Sequence, residues 1–298
     1  MADVRARLGT DLPDLLRRLG FRDDDAADAV DAAAEVLDSP ADLARVQTYA
    51  DRLSTAIGDL RLEQAEDPWP EDEPAVAHGR DLGAGVLAML ALVATAEDVH
   101  DYHRSRAIDD DISWRSLSDL GQQVWVHRLT YDSFGLHTQG WLRIAWSGDL
   151  YWLGRLQFNL QLNDGEWVLS THIPRTGPLT PESVQESFRA AVAFFGRHFA
   201  EFPVRRFWCS SWLLDPQLTE VLAADSNMVR FQRLWQLDPE EMEGDGDALF
   251  FTFARRGDVD LDSLPQDTTL QRAIVKRLKS GGHWYARRGS YPLPDQSA

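Results

Sequence analysis

Two short segments hold the residue types that bond-making chemistry needs. In "WVLSTHIPRTGPLTP", residues 167–181, a histidine closes an alternating stretch and a loop follows. In "RRFWCSSWLLDP", residues 205–216, the chain's only cysteine stands beside two serines. His172 titrates near neutrality in water, so it suits a general base, or else a hydrogen-bonded structural role. A histidine at a strand's C-terminal end, ahead of a loop that enters a helix, stands where α/β proteins bind ligands. The helix after that loop attracts anions through its open N–H groups and its dipole. Ser210 and Ser211 are polar at mid-strand, where serines line a ligand or bond to local backbone. Cys209 reads as a packed residue, because it alternates with Phe207 and Leu213. A reactive thiol needs an electropositive, partly open setting instead.

The remaining candidates lack partners. His100 and His103 are three apart and share one helix face, a spacing that suits a metal. Further ligands are missing, so they read as exposed helical histidines and no metal is expected. "EGDGD" at 243–247 lacks EF-hand spacing and reads as a hairpin tip. Arg155, Gln157, Asn159 and Gln161 make a polar strand face, either for a small polar ligand or for solvent. Phosphate loops, dinucleotide fingerprints, nucleophile elbows and HExxH motifs do not occur in the sequence.

The elements that carry these residues change character near residue 149. Before it the pattern is helical. Ser39, Pro40 and Asp42 read as the cap, first position and first turn of a helix through "SPADLARVQTYADRLSTAIGD". Further helices are expected around 12–19, 26–37, 80–95, 97–106, 116–131 and 139–146, with a loop at 65–74. After it, "LYWLGRLQFNLQL" alternates apolar and polar as a strand, Asp164-Gly165 marks a hairpin, and "WVLSTHI" alternates again. Thr180 and Pro181 open a helix striped by Val184, Phe188, Ala191, Phe195 and Phe199. A strand over 206–214, a short helix to about 223, strands in "NMVRFQRLWQL" and "ALFFTFAR", an acidic connection "DPEEMEGDGD", a helix in "DTTLQRAIVKRLKSGG" and a strand in "HWYAR" complete the reading. The expected fold is α+β: a helical domain over 1–147, then a mixed sheet with covering helices over 148–298.

Composition excludes several classes. The net charge of −18, concentrated in the first half, and the lack of a basic cluster argue against nucleic-acid binding. One cysteine excludes an internal disulfide and a cysteine-rich zinc knot. The longest apolar run, Ala84 to Ala96, is too short to span a bilayer, and no signal peptide is read. A soluble cytoplasmic chain without a membrane partner is expected.

"THIPRTGPLTPESVQESFRAAVAFFGRHF", "FWCSSWLLDPQL", "DSNMVRFQRLW", "DTTLQRAIVKRLKSGGHW", "SLSDLGQQVWVHRLTY" and "LYWLGRLQFNL" together resemble the bacterial acyltransferase domain-containing proteins. Those chains join a helical acyltransferase-type N-terminal domain to a GNAT-like C-terminal domain. The resemblance implies acyl transfer from acetyl-CoA or another acyl-CoA to a small-molecule amine, without a cysteine nucleophile. It implies that the strands at 167–173 and 206–214 splay, with His172, Ser210 and Ser211 at the reacting centre. The pyrophosphate loop would fall at 174–180, with Arg175, Thr176, Gly177 and Thr180 on the phosphates. That loop departs from the glycine-rich family pattern, since "PRTGPLTP" has one glycine and three prolines. The departure also supports a second reading, a non-catalytic GNAT-like module for ligand binding or protein interaction.

Overall fold

A computed structural model describes residues 3–9, 11–61, 68–69, 76–77 and 80–293. The loop expected at 65–74 lies outside the described residues except at Pro68 and Trp69. The chain divides into two compact units, Met1–Trp152 and Leu153–Ala298.

The first unit is helical: α1 Val4–Gly9, α2 Leu12–Arg18, α3 Asp23–Asp38, α4 Pro40–Ala56, α5 Val86–Ser105, α6 Asp110–Leu117, α7 Asp119–Tyr131 and α8 Gln139–Trp146. A minimal strand pair, β1 Val76–Ala77 and β2 Arg80–Asp81, precedes α5. Ser39 caps α4 as its sequence signals, its hydroxyl accepting the Asp42 N–H at 3.4 Å. The apolar run at 84–96 becomes the core of the unit: every residue from Val86 to Ala96 is buried. Gly85 opens that helix at φ 67°, and a Cβ there would lie 2.0 Å from the Leu136 carbonyl oxygen, so only glycine fits. The two helices expected at 80–95 and 97–106 are one continuous helix, while the one expected at 116–131 is two, broken at Ser118. No helix among the described residues is long and apolar enough to cross a membrane.

His100 and His103 are not exposed helical histidines. His103 is fully buried, and the Nδ1 atoms of both rings lie 2.8 Å from Ser113 Oγ. One hydroxyl serves two rings, donating to one and accepting from the other. Burial pushes His103 down to about 3, with the neighbouring His100 adding to the shift, and it also lowers His100 and His127. The unfolded chain therefore binds these protons more readily than the folded one. Their stabilisation is present above pH 6.5 and is lost as pH falls from there toward 3. The melting temperature is expected to drop across that window, and less steeply in His103→Gln than in wild type. Equal slopes for the two in thermal denaturation would sink this account.

The second unit is built on a sheet. Its strands are β3 Tyr151–Leu153, where the chain crosses between units, β4 Leu156–Asn163, β5 Glu166–His172, β6 Arg206–Ser211, β7 Gln236–Glu243 and β8 Tyr285–Pro292. Its helices are α9 Pro181–His198, α10 Leu218–Val221, α11 Asn227–Gln232, α12 Asp245–Phe253 and α13 Thr269–Lys279. The order across the sheet is β3-β4-β5-β6-β8-β7, with β5 and β6 parallel and the β4–β5, β6–β8 and β7–β8 pairs antiparallel. The α+β class expected from sequence is the observed one, a helical unit followed by a mixed sheet with helices.

Asp164 and Gly165 turn the β4–β5 hairpin with φ of 50° and 81°, the left-handed pair that a two-residue hairpin turn requires. The stretch 150–162 is not one strand, because a second turn at Gly154-Arg155 separates β3 from β4. Gly154 at φ 73° brings that turn against α9, where a Cβ would sit 2.6 Å from Ser187 Oγ. On one face of the sheet, Phe188 of α9 packs against Phe158, Phe207, Trp235 and Tyr291, with ring centroids 4.4 to 6.1 Å away. Cys209 is buried on this same face, and burial pushes its thiol up to about 12, so it is a packed residue.

Three expected elements are exchanged. "NMVRFQ" is helix α11, capped by Ser226, rather than a strand. "ALFFTF" belongs to helix α12, and the acidic stretch expected as a connection is the edge strand β7. Charge decides the last of these. Glu240 and Glu241 meet Arg288 and Arg287 of β8 at 3.1 and 2.9 Å, cross-strand pairs that suit an exposed edge. "EGDGD" runs from the end of β7 into the first turn of α12 rather than forming a hairpin tip, with Glu243 Oε1 accepting the N–H groups of Asp245 and Gly246.

Candidate functional site

Pairing between β5 and β6 is short. The ladder holds Leu169 to Phe207 and Ser170 to Trp208, and there it stops. Both strands continue, β5 to His172 and β6 to Ser211, while β6 remains paired with β8 along its length. Beyond Ser170 and Trp208 the sheet therefore has an unpaired seam at the C-terminal ends of two parallel strands. Ligands of open α/β sheets bind at such ends.

His172 stands at this seam. Its Nε2 lies 2.7 Å from Asn159 Oδ1 on β4. Asn159 Nδ2 donates to the Leu160 carbonyl oxygen at 2.9 Å, which fixes the orientation of the amide. A carbonyl oxygen only accepts, so the atom facing it is the nitrogen and the atom facing His172 is the oxygen. Nε2 must then carry the proton. Burial pushes His172 down to about 4, so at neutral pH the ring is uncharged and Nδ1 is its basic nitrogen.

The same face carries more polar residues. The hairpin register sets Gln157 opposite His172 and Asn159 opposite Ser170. Gln157, Asn159 and Ser170 are all buried, so the polar face of β4 is not a solvent-facing surface at these positions. Trp208 is next to Ser170 on β6. Ser210, two residues along from Trp208, shares its face and is exposed. Ser211 lies on the opposite face, and its hydroxyl accepts the Leu213 N–H at 3.1 Å to start a 3-10 turn over Trp212–Leu214. The strand expected over 206–214 ends at Ser211 for this reason, and period-2 alternation keeps the two serines from lining one cleft.

The loop after His172 has its own anchor. Arg155, in the β3–β4 turn, donates to the carbonyl oxygens of Pro174, Gly177 and Pro178 at 3.0, 3.0 and 3.3 Å. A guanidinium fork thus holds a loop whose prolines cannot donate. Gly177 takes φ 51°, and Arg175 and Gly177 are exposed. Thr180 caps α9, its Oγ1 accepting the Ser183 N–H at 3.2 Å. Beside the start of α9 lies a cavity of about 330 Å³ lined by Leu179, Pro181, Val184, Phe231 and Leu234 together with Gln185 and Arg230. Among the described residues no group of three or more histidine, cysteine or carboxylate side chains is placed to hold a metal ion.

Sequence reading placed His172 and the loop but missed Asn159 as the partner of His172 and Arg155 as the anchor of the loop. The first was within reach, since a two-residue turn at 164–165 dictates which β4 residues face which β5 residues. The second was not, because no local signal links a turn at 155 to a loop at 174.

Residues 10–148 match the model of the N-acyltransferase N-terminal domain, and residues 150–291 match that of the GNAT-like C-terminal domain. Solved structures similar to this chain cover 96% of it and 88% of their own length. One is an acyltransferase in complex with decanoyl-CoA and teicoplanin, at 37% identity and a TM-score of 0.87. A second, in complex with CoA and 10C-teicoplanin, has the same identity and TM-score. A third, in complex with decanoyl-CoA, is 36% identical with a TM-score of 0.85. No curated protein matches the chain.

Proposed function

The chain belongs to the acyltransferases that join an N-acyltransferase N-terminal domain to a GNAT-like C-terminal domain, and from this premise we propose that it moves an acyl group from acyl-CoA to an amine of a small-molecule acceptor. The observation that carries the reading is the seam between β5 and β6, with an uncharged histidine at its mouth. In the proposed reaction the acceptor nitrogen attacks the thioester carbonyl carbon. A C–N bond forms, the C–S bond breaks and coenzyme A leaves as the thiolate. His172 Nδ1 takes the proton that the amine loses, and the proton then passes to the thiolate. Ser210 stands on the same sheet face as a further polar contact. Arg175, Thr176, Gly177 and Thr180 form the loop for the pyrophosphate, aided by the N-terminus of α9. Arg155 keeps that loop in one shape by holding its carbonyl oxygens.

Two of the similar structures hold decanoyl-CoA, so we place the donor among medium-chain acyl-CoAs ahead of acetyl-CoA. The teicoplanin in one of them supports a glycopeptide amine as the acceptor. The test is calorimetric titration with decanoyl-CoA, acetyl-CoA and free coenzyme A. It is followed by mass spectrometry of an amine-bearing glycopeptide incubated with enzyme and decanoyl-CoA. Binding, thiol release and a decanoyl mass increase on the acceptor are expected. Failure to bind any of the three coenzyme A species would overturn the enzyme reading in favour of a non-catalytic module.

A further inference from the structure

The sheet face around His172 carries donors with nothing to donate to. Gln157 Nε2, Ser170 Oγ and Trp208 Nε1 are buried, and none has a hydrogen-bond partner among the described residues. Gln157 is 2% exposed and Ser170 1%. A buried polar group left unpaired costs about 1–3 kcal/mol, so three on one face call for an explanation. They are also neighbours. Ser170 is the register partner of Trp208, and Gln157 is the register partner of His172 one step along the hairpin.

We propose that Gln157, Ser170 and Trp208 form a row of hydrogen-bond donors for the carbonyl oxygens of an acyl-CoA, with Gln157 on the thioester carbonyl that reacts and Ser170 and Trp208 on the amide carbonyls of the arm beside it. This rests on the acyl-CoA reading above and names the groups that would hold the thioester and the arm beside it. All three atoms are able to donate, and the indole N–H can do nothing else, so the ligand must bring acceptors. The donors are uncharged. A neutral carbonyl oxygen suits them better than a phosphate, whose buried charge they could not offset. Trp208 stands at the last paired position before the seam, so the row begins where the seam opens. Directly opposed residues on antiparallel strands stand about 4.5–5.5 Å apart, which puts the Gln157 amide beside His172. As the amine attacks, negative charge grows on the carbonyl oxygen, and a fixed amide donor there strengthens its bond in the transition state.

Two coenzyme A derivatives separate the contributions: S-decyl-CoA, which has no acyl carbonyl, and S-(2-oxododecyl)-CoA, which has a ketone near that position. Calorimetry on wild type is expected to show the ketone bound about tenfold more tightly, the usual effect of satisfying a buried donor. Gln157→Leu is expected to erase that preference while binding S-decyl-CoA as wild type does. Trp208→Phe removes one N–H and keeps an aromatic ring. It is expected to weaken binding of both compounds by a similar factor with little change in melting temperature, and it tests the row if Gln157→Leu does not fold. A preference that survives in Gln157→Leu or is missing from wild type that binds both compounds, or affinities in Trp208→Phe equal to those of wild type, overturns the donor row and leaves the acyl-CoA reading in place. Wild type that binds neither compound overturns both.

Discussion

Replacing His172 with glutamine is expected to slow acyl transfer by about 10²–10⁴-fold, the usual worth of a positioned general base, with acyl-CoA affinity little changed. Glutamine can still donate to Asn159 but has no basic nitrogen. Asn159 Oδ1 holds Nε2–H, so it acts as a positioning residue that leaves Nδ1 as the base. With His172 pushed down to about 4, wild type is expected to show a flat rate near neutrality that falls only in acid. Asn159→Asp puts a carboxylate against Nε2–H, stabilises the imidazolium and raises the pKa. The base is then protonated at higher pH, and the acid limb of the rate profile moves upward. Asn159→Leu should slow the reaction by freeing the tautomer, and Asn159→Asp should restore much of the rate at high pH. A pH–rate profile with the same acid limb in wild type and Asn159→Asp would remove Asn159 from the mechanism. Unchanged turnover in His172→Gln would remove His172 itself.

The second large effect is on stability. Phe188→Ala is expected to destabilise the second unit by about 3–5 kcal/mol, the range for deleting a fully buried aromatic ring. Phe188 is 1% exposed and meets four other aromatic residues drawn from β4, β6, β8 and the turn before β7. It is the point where α9 is fastened to the sheet. Removing the ring leaves a cavity that these rigid neighbours cannot close. Urea denaturation should show a lower midpoint with the same slope, and a loss below about 1 kcal/mol would contradict this packing role. The ring lies on the sheet face opposite His172, so the surviving folded fraction should retain its affinity for acyl-CoA.

The features that were legible beforehand share a short range. Ser39 and Thr180 cap the helices that follow them because the hydroxyl and its N–H partner lie three residues apart. Asp164-Gly165 turns the hairpin because both residues accept positive φ, and the turn then sets the register of everything on β4 and β5. From that register alone, Gln157 and Asn159 could have been set against His172 and Ser170. The apolar stripe of α9 likewise follows from a helical period.

Where the reading failed, the deciding partner lies far along the chain. "ALFFTFAR" has the aromatic content of a strand, yet it is helical through Phe253 from a start that Glu243 organises. "DPEEME" looks like a connection until Arg287 and Arg288 arrive on β8 to pair with its glutamates. His103 looks exposed beside its polar neighbours, and only the folded unit buries it against Ser113. The candidate site divides in the same way. Local chemistry put a histidine at the end of a strand, and the hairpin turn set its cross-strand neighbours. The parallel pairing of β5 with β6, which ends at Ser170 and Trp208, joins segments nearly forty residues apart. Backbone and side-chain preferences act over a turn or two, whereas the seam, the Arg155 anchor and the aromatic contacts of Phe188 exist only once the sheet has brought distant residues together.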